Sequence, residues 1–261
     1  MLFLNELRAQ VVRLFRPPHA ELTSLATNAV LVTALWTLLP TAVHDWLFTL
    51  TGSMAFAVVL QAWMLGDTTT TNILGNDVAP ALDALSDPLL LRRWLRAKAG
   101  ALALVVAVPC AVVAMVIAGV EHAYADGVLL CVALVTAPFG AAAVAAWLGM
   151  AWPYHPRPLR WRWEQRHAHR RTLRWLVLVL TPFLFVPAIM AVLLAAGVAT
   201  GDAVGGRDAN GHLDVAGFAA ATAVTAALSL TAFCWAPYLS STLCRRRSAL
   251  LNRILLDSDA G

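Results

Sequence analysis

The chain has 261 residues, of which 60% are hydrophobic and 13% charged, with a formal net charge of +4. So much apolar surface, at a mean hydropathy of +0.70, excludes an ordinary water-soluble domain. The basic residues lie beside apolar runs, which favours attraction to anionic lipid head groups over nucleic-acid binding.

Six windows lack Asp, Glu, Lys and Arg: 22–39, 46–65, 99–119, 127–151, 175–199 and 217–239. Each is about as long as the ~20 residues a helix needs to cross a bilayer. The expectation is an all-α polytopic membrane protein, a single transmembrane domain over 1–261 with six transmembrane helices. An N-terminal amphipathic interfacial helix at 1–18 precedes them. Leu4, Leu7, Val11 and Leu14 share one face of it, Arg8 and Arg16 lie elsewhere, and Pro17-Pro18 ends it. No small-residue cleavage site follows the first window, so no removable signal peptide is expected.

The first two spans form a hairpin. Asn28 and Gln61 are read first as hydrogen bonds between helices. With Thr225 and Ser229 they are also the polar positions open to a substrate path. The stretch 66–98 is polar and two-toned: Asp67, Asp77, Asp83 and Asp87 precede Arg92, Arg93, Arg96 and Lys98. Asp87-Pro88 is a helix start, because Asp caps free N–H groups and Pro needs none at the first position. Asn76 or Asp77 is the expected cap of a shorter helix carrying Val78, Leu82 and Leu85. The expectation is two short helices at the membrane's cytoplasmic surface.

Pro109, Pro138 and the pair Pro182 and Pro187 predict bends in spans three, four and five. Small residues recur every fourth position in span four (Ala137, Ala141, Ala145, Gly149) and span six (Gly217, Ala221, Thr225, Ser229), which lets helices approach closely. The loop 152–174 is basic with interleaved Trp. His155, His167 and His169 lack the Cys/His spacing of zinc sites. Asp202, Asp208 and Asp214 lack that of a calcium loop. Cys110, Cys131, Cys234 and Cys244 are expected to be reduced thiols. Basic residues crowd the first, third, fifth and last polar segments, while Arg207 stands alone on the other side. The positive-inside rule then places both termini in the cytoplasm.

No phosphate-cradling G-x-x-x-x-G-K-[ST] run, no G-x-S-x-G and no H-E-x-x-H occurs. No Asp, Glu, His, Lys or Arg lies in any of the six windows, so the proton relay of an ion-coupled transporter has no seat there. The expected chain is not an enzyme, holds no cofactor or metal, and takes energy from outside itself.

Asn72, Gly75 and Asp77, then Pro88, then Lys98, resemble the N-x-x-G-x-D…P…K signature of bacterial type-2 ABC exporter permeases, especially the actinobacterial kind. Pro153-Tyr154 with Pro156 resembles the P-Y-P run those permeases carry after span four. This chain departs from the pattern at Val78, Asp83, Ala97 and His155. The resemblance implies a plasma-membrane permease of two six-span halves, homo- or heterodimeric, moving an amphiphile, lipid or drug. It also implies a separate ATPase subunit, with its ATP and Mg, that receives the loop 66–98. Asn72, Gly75, Asp77, Asp83, Asp87, Pro88, Arg92, Arg93, Arg96 and Lys98 are the implied coupling residues. Two other classes stay open. One is a non-transporting membrane scaffold or assembly subunit. The other is a lipid-acting enzyme using His155, His167 or His169 with Glu164.

Overall fold

In a computed structural model, the described residues are 2–17, 19–40, 43, 52–151, 153–154, 164, 167, 169–207 and 213–257. Among them the chain forms eleven α-helices and no strand beyond a single bridge between Arg207 and Leu213. The helices are α1 (Leu2–Leu14), α2 (Ala20–Leu38), α3 (Ala55–Leu65), α4 (Thr68–Thr71), α5 (Ile73–Asn76) and α6 (Val78–Ser86). Then come α7 (Pro88–Val120), α8 (Tyr124–Ala151), α9 (His169–Val204), α10 (Val215–Arg246) and α11 (Ser248–Leu256).

Among the described residues four helices are long and apolar enough to cross a membrane: α7, α8, α9 from Trp175 onward, and α10. At 1.5 Å per residue the 33 residues of α7 extend about 50 Å, well past a hydrocarbon core of about 30 Å. The expected spans 99–119, 127–151, 175–199 and 217–239 all lie inside longer helices. The difference has a simple cause. Charge bounds an apolar window, whereas backbone caps bound a helix. Asp87 accepts the Leu89 N–H at 2.8 Å and starts α7, and Asp214 accepts the Gly217 N–H at 2.7 Å and starts α10. For the first hairpin, α2 covers 19 residues and α3 covers 11, and the two pack together. Positions 41–42 and 44–51, including the start of the expected second span, lie outside the described residues. The basic loop does too, except Pro153, Tyr154, Glu164, His167 and the start of α9.

The apolar face expected to rest on lipid is used differently. Leu7, Val11 and Leu14 of α1 pack into the bundle core with Leu25, Leu60 and Leu102, whereas Leu4 is exposed. Charge holds α1 there: Arg13 pairs with Asp77, and Glu6 pairs with Arg93 of α7. The helix covers the flank of α7 rather than standing apart from it.

At the centre is α8, which packs against α7 and α10 and also touches α3, α4 and α9. Ala137, Ala141 and Ala145 are buried in the main core, as the small-residue ladder predicts. Gly140 meets α10, where an added Cβ would lie 2.7 Å from Ser229 Cα. A second close crossing joins α9 to α10. Gly197, Gly201 and Gly205 follow a G-x-x-x-G rhythm, and a Cβ on Gly201 would lie 2.4 Å from the Gly217 carbonyl oxygen. Helices α7, α8, α9 and α10 all run unbroken through their prolines.

Gly201→Leu is expected to lower the melting midpoint of the purified chain by several degrees, because α9 and α10 must separate. Gly119→Ala, where nothing lies within 4 Å of the new methyl, should leave the midpoint unchanged or slightly raised. Differential scanning fluorimetry in detergent distinguishes the two.

Candidate functional site at the elbow

Between α3 and α7 the chain folds into an elbow of short helices, and its organising residue is Lys98. That side chain is 2% exposed. Burying an ammonium costs several kcal/mol unless counter-charges surround it. Lys98 Nζ pairs with Asp77 and, at 3.1 Å, with Glu21 at the start of α2. It also lies 5.7 Å from the centre of the Trp94 ring. The second oxygen of Asp77 accepts from Arg13 of α1. Two cations and two carboxylates therefore tie α1, α2, the elbow and α7 at one point.

This knot explains a difference from expectation. Asp77 occupies the cap position of α6, yet its side chain accepts no capping hydrogen bond. Its oxygens serve two charged donors, which bind about twice as strongly as a neutral N–H. Asn76 does not cap either; its Oδ1 accepts from Asn72 Nδ2 at 3.3 Å.

A second fastening joins the elbow to the end of α8. Asn72 is fully buried. Its Nδ2 donates to the Tyr154 carbonyl at 2.7 Å, and the Tyr154 N–H donates to its Oδ1 at 3.2 Å. One side-chain amide thus satisfies both backbone groups of Tyr154. The approach is close enough to require glycine on both sides. A Cβ on Gly75 would lie 2.0 Å from the Tyr154 oxygen, and one on Gly149 would lie 1.9 Å from the Thr71 oxygen. Just upstream, Asp67 caps α4 by accepting the Thr68 N–H at 2.6 Å, and it also accepts the hydroxyls of Thr69 and Ser24.

The remaining elbow residues divide into fastenings and free surface. Arg92 donates to Ser241 Oγ at 2.7 Å and stacks 4.2 Å from the Tyr238 ring centre. Arg96 donates to the Cys234 carbonyl at 2.7 Å, and Arg93 pairs with Glu6. All three arginines bind their own chain. Asp87 serves as the α7 cap with Pro88 in the first turn. Asp83 is exposed, as are Leu89 and Leu90. In α6 the buried face centres on Ala81 and Ala84, flanked by Val78, Leu82 and Leu85, against Trp94, Leu251 and Leu255.

The expectation of two short helices is corrected here. The first exists as α6, but the second does not stop; it is the opening of α7 and enters the bundle without a break. Ala97, Ala99 and Ala101 surround Lys98, and nothing in that run ends a helix. The four residues held open for a substrate path are all buried between helices. Gln61 donates to the Leu134 carbonyl at 2.6 Å, Thr225 to that of Leu193 at 3.4 Å, and Ser229 to that of Thr225 at 2.7 Å. Asn28 is buried on α2. None of the four lines the open groove of about 720 Å3 between α7 and α8, whose wall is apolar and includes Val112, Met115 and Val132.

Arg13, Glu21, Asp67 and Tyr154 belong to the joint but were not among the candidate residues. Glu21 carried a usable signal, as an acidic residue at the edge of an apolar window. Among the described residues no cluster of three His, Cys, Asp or Glu side chains could hold a metal, and His155 lies outside them. No protein-family model, curated protein or solved structure matches the chain.

Lys98→Met should destabilise the fold by about 3 kcal/mol, the lower end for removing one partner of a buried pair, since Asp77 keeps Arg13. Adding Glu21→Leu should recover part of that loss, because the carboxylate that Lys98 alone was pairing goes with it. A denaturation series on the two single variants and the double variant measures the coupling.

Proposed function

We propose that the chain is the membrane-spanning permease subunit of an ATP-binding cassette exporter. A separate ATPase subunit supplies the energy, and an amphiphilic or lipid-like molecule, or a drug, is the cargo. One observation carries this reading: the elbow is joined rigidly to the membrane helices. A force on α6 passes through the Asp87 cap directly into α7, and through Asn72 into the end of α8. A joint of that kind suits a part that receives a push.

In this reading α2 and the segment ending in α3 supply the first two of six spans. The basic residues support the elbow end as the cytoplasmic one. Arg13, Arg92, Arg93, Arg96, Lys98 and Arg247 all make contacts at that end, together with the C-terminal helix α11. The motif residues then act in two ways. Asn72, Gly75, Asp77 and Lys98 hold the elbow on the bundle. Asp83 and the exposed Leu89 form its outer face, which meets the ATPase. ATP and Mg belong to that partner, and a second permease half completes the path.

The test is co-purification. The chain should bring down a P-loop ATPase and stimulate its nucleotide hydrolysis. Asp83→Lys with Leu89→Lys should cut that stimulation at least ~tenfold, the loss of roughly 1.4 kcal/mol of contact, with insertion and melting unchanged. A chain that works without any ATPase is a scaffold, and the exporter reading then fails.

A further inference from the structure

A cavity of about 790 Å3 opens between α1, the start of α2 and the elbow, within the ~300–1,000 Å3 range of small-ligand sites. Its wall includes Gln10, Arg13, Arg16, His19, Ser24 and Thr69. A neighbouring hollow of about 380 Å3 shares Arg16 and adds Arg8 and Val12. Glu21 and Asp77 also reach the larger cavity, but Lys98 neutralises both from behind and Arg13 holds Asp77 a second time. Lys98 and Arg13 therefore balance Glu21 and Asp77, Asp67 lies behind Ser24 and Thr69 with hydroxyl and N–H donors alone, and the mouth is cationic. Among the described residues the guanidinium groups of Arg8 and Arg16 have no hydrogen-bonding or ion-pair partner.

We propose that this mouth binds the phosphate of an anionic membrane phospholipid. Guanidinium forks match phosphate oxygens two at a time, and the Gln10 side-chain amide stands beside them for a further hydrogen bond. The same helix end supplies a place for acyl chains. Val12 and Phe15 are exposed next to Arg16, and Phe3 and Leu4 are exposed further along α1. A free phosphate ion has no use for those apolar neighbours, whereas a lipid uses both parts of the site. Arg13 faces the cavity and also holds Asp77, so a bound phosphate adds a further anion to the knot that seats the elbow. The inference does not rest on the exporter reading; it needs only a membrane around the chain.

The experiment uses the full chain, purified in detergent and stripped of lipid. Phosphatidylglycerol, phosphatidylcholine and inorganic phosphate are titrated separately, with occupancy read by native mass spectrometry and stability by melting. Phosphatidylglycerol should bind at least ~tenfold more tightly than phosphatidylcholine and raise the melting midpoint. Arg8→Gln with Arg16→Gln should weaken it roughly tenfold or more, the loss of one charge-assisted contact, whereas Arg245→Gln with Arg246→Gln should not. Arg16→Gln alone serves if the first pair fails to fold. The proposal is overturned if the two lipids bind alike, if both pairs of substitutions weaken binding equally, or if inorganic phosphate binds as tightly as the lipid.

Discussion

A lysine ammonium buried to 2% exposure at the base of an apolar helix dictates much of this architecture. Lys98 cannot remain there alone, because stripping water from an ammonium costs several kcal/mol. It draws Asp77 from the elbow and Glu21 from α2, and Asp77 in turn draws Arg13 from α1. Each attachment removes a degree of freedom. The elbow must lie against α7, the N-terminal helix must lie along its flank, and α2 must begin beside both. Asp77 gives up its local role as a helix cap to make this possible.

The second joint works at the level of backbone rather than charge. The segment around Asn72 and Gly75 and the segment around Pro153 and Tyr154 are distant in sequence, yet one clamps the other. Glycine at 75 and at 149 lets two backbones come closer than any side chain permits. Contacts of this kind have little give, since no flexible side chain lies between the parts to absorb movement. With the unbroken start of α7, they fasten the elbow to the bundle at two points. The exposed tip carries Asp83, Leu89 and Leu90, while Arg92, Arg93 and Arg96 are engaged by Ser241, Glu6 and the Cys234 carbonyl of their own chain.

Much of the helical framework was legible in the sequence. Charge-free windows located the four long helices, Asp87-Pro88 marked the start of α7, and the ladder through Ala137, Ala141 and Ala145 marked the packed face of α8. What local pattern could not supply was pairing at a distance. Nothing near Lys98 says that its partner is Glu21, and Asp77 offers a helix cap as readily as an ion pair. The apolar window begins at Ala99, so Lys98 looked like the end of a loop rather than the middle of a helix. The N-terminal helix has an amphipathic stripe that suits lipid and protein equally, and it takes the packing of Leu7, Val11 and Leu14 with the Arg13 and Glu6 contacts to place it on the bundle. The ladder from Gly217 to Ser229 on α10 was legible as a close-packing strip, but that Gly197, Gly201 and Gly205 of α9 would meet it was not.

The seating of the elbow by Lys98 is directly accessible to amide hydrogen exchange of the whole chain in lipid nanodiscs. In the native protein the amides of α6 should exchange as slowly as those at the start of α7, as one cooperative unit. With Lys98→Met, exchange across 78–86 should accelerate roughly a hundredfold, the equivalent of about 3 kcal/mol, while the middle of α8 stays protected. Fast exchange of α6 in the native chain, or no change in it when Lys98 is replaced, would contradict the buried knot as the element that holds the elbow in place.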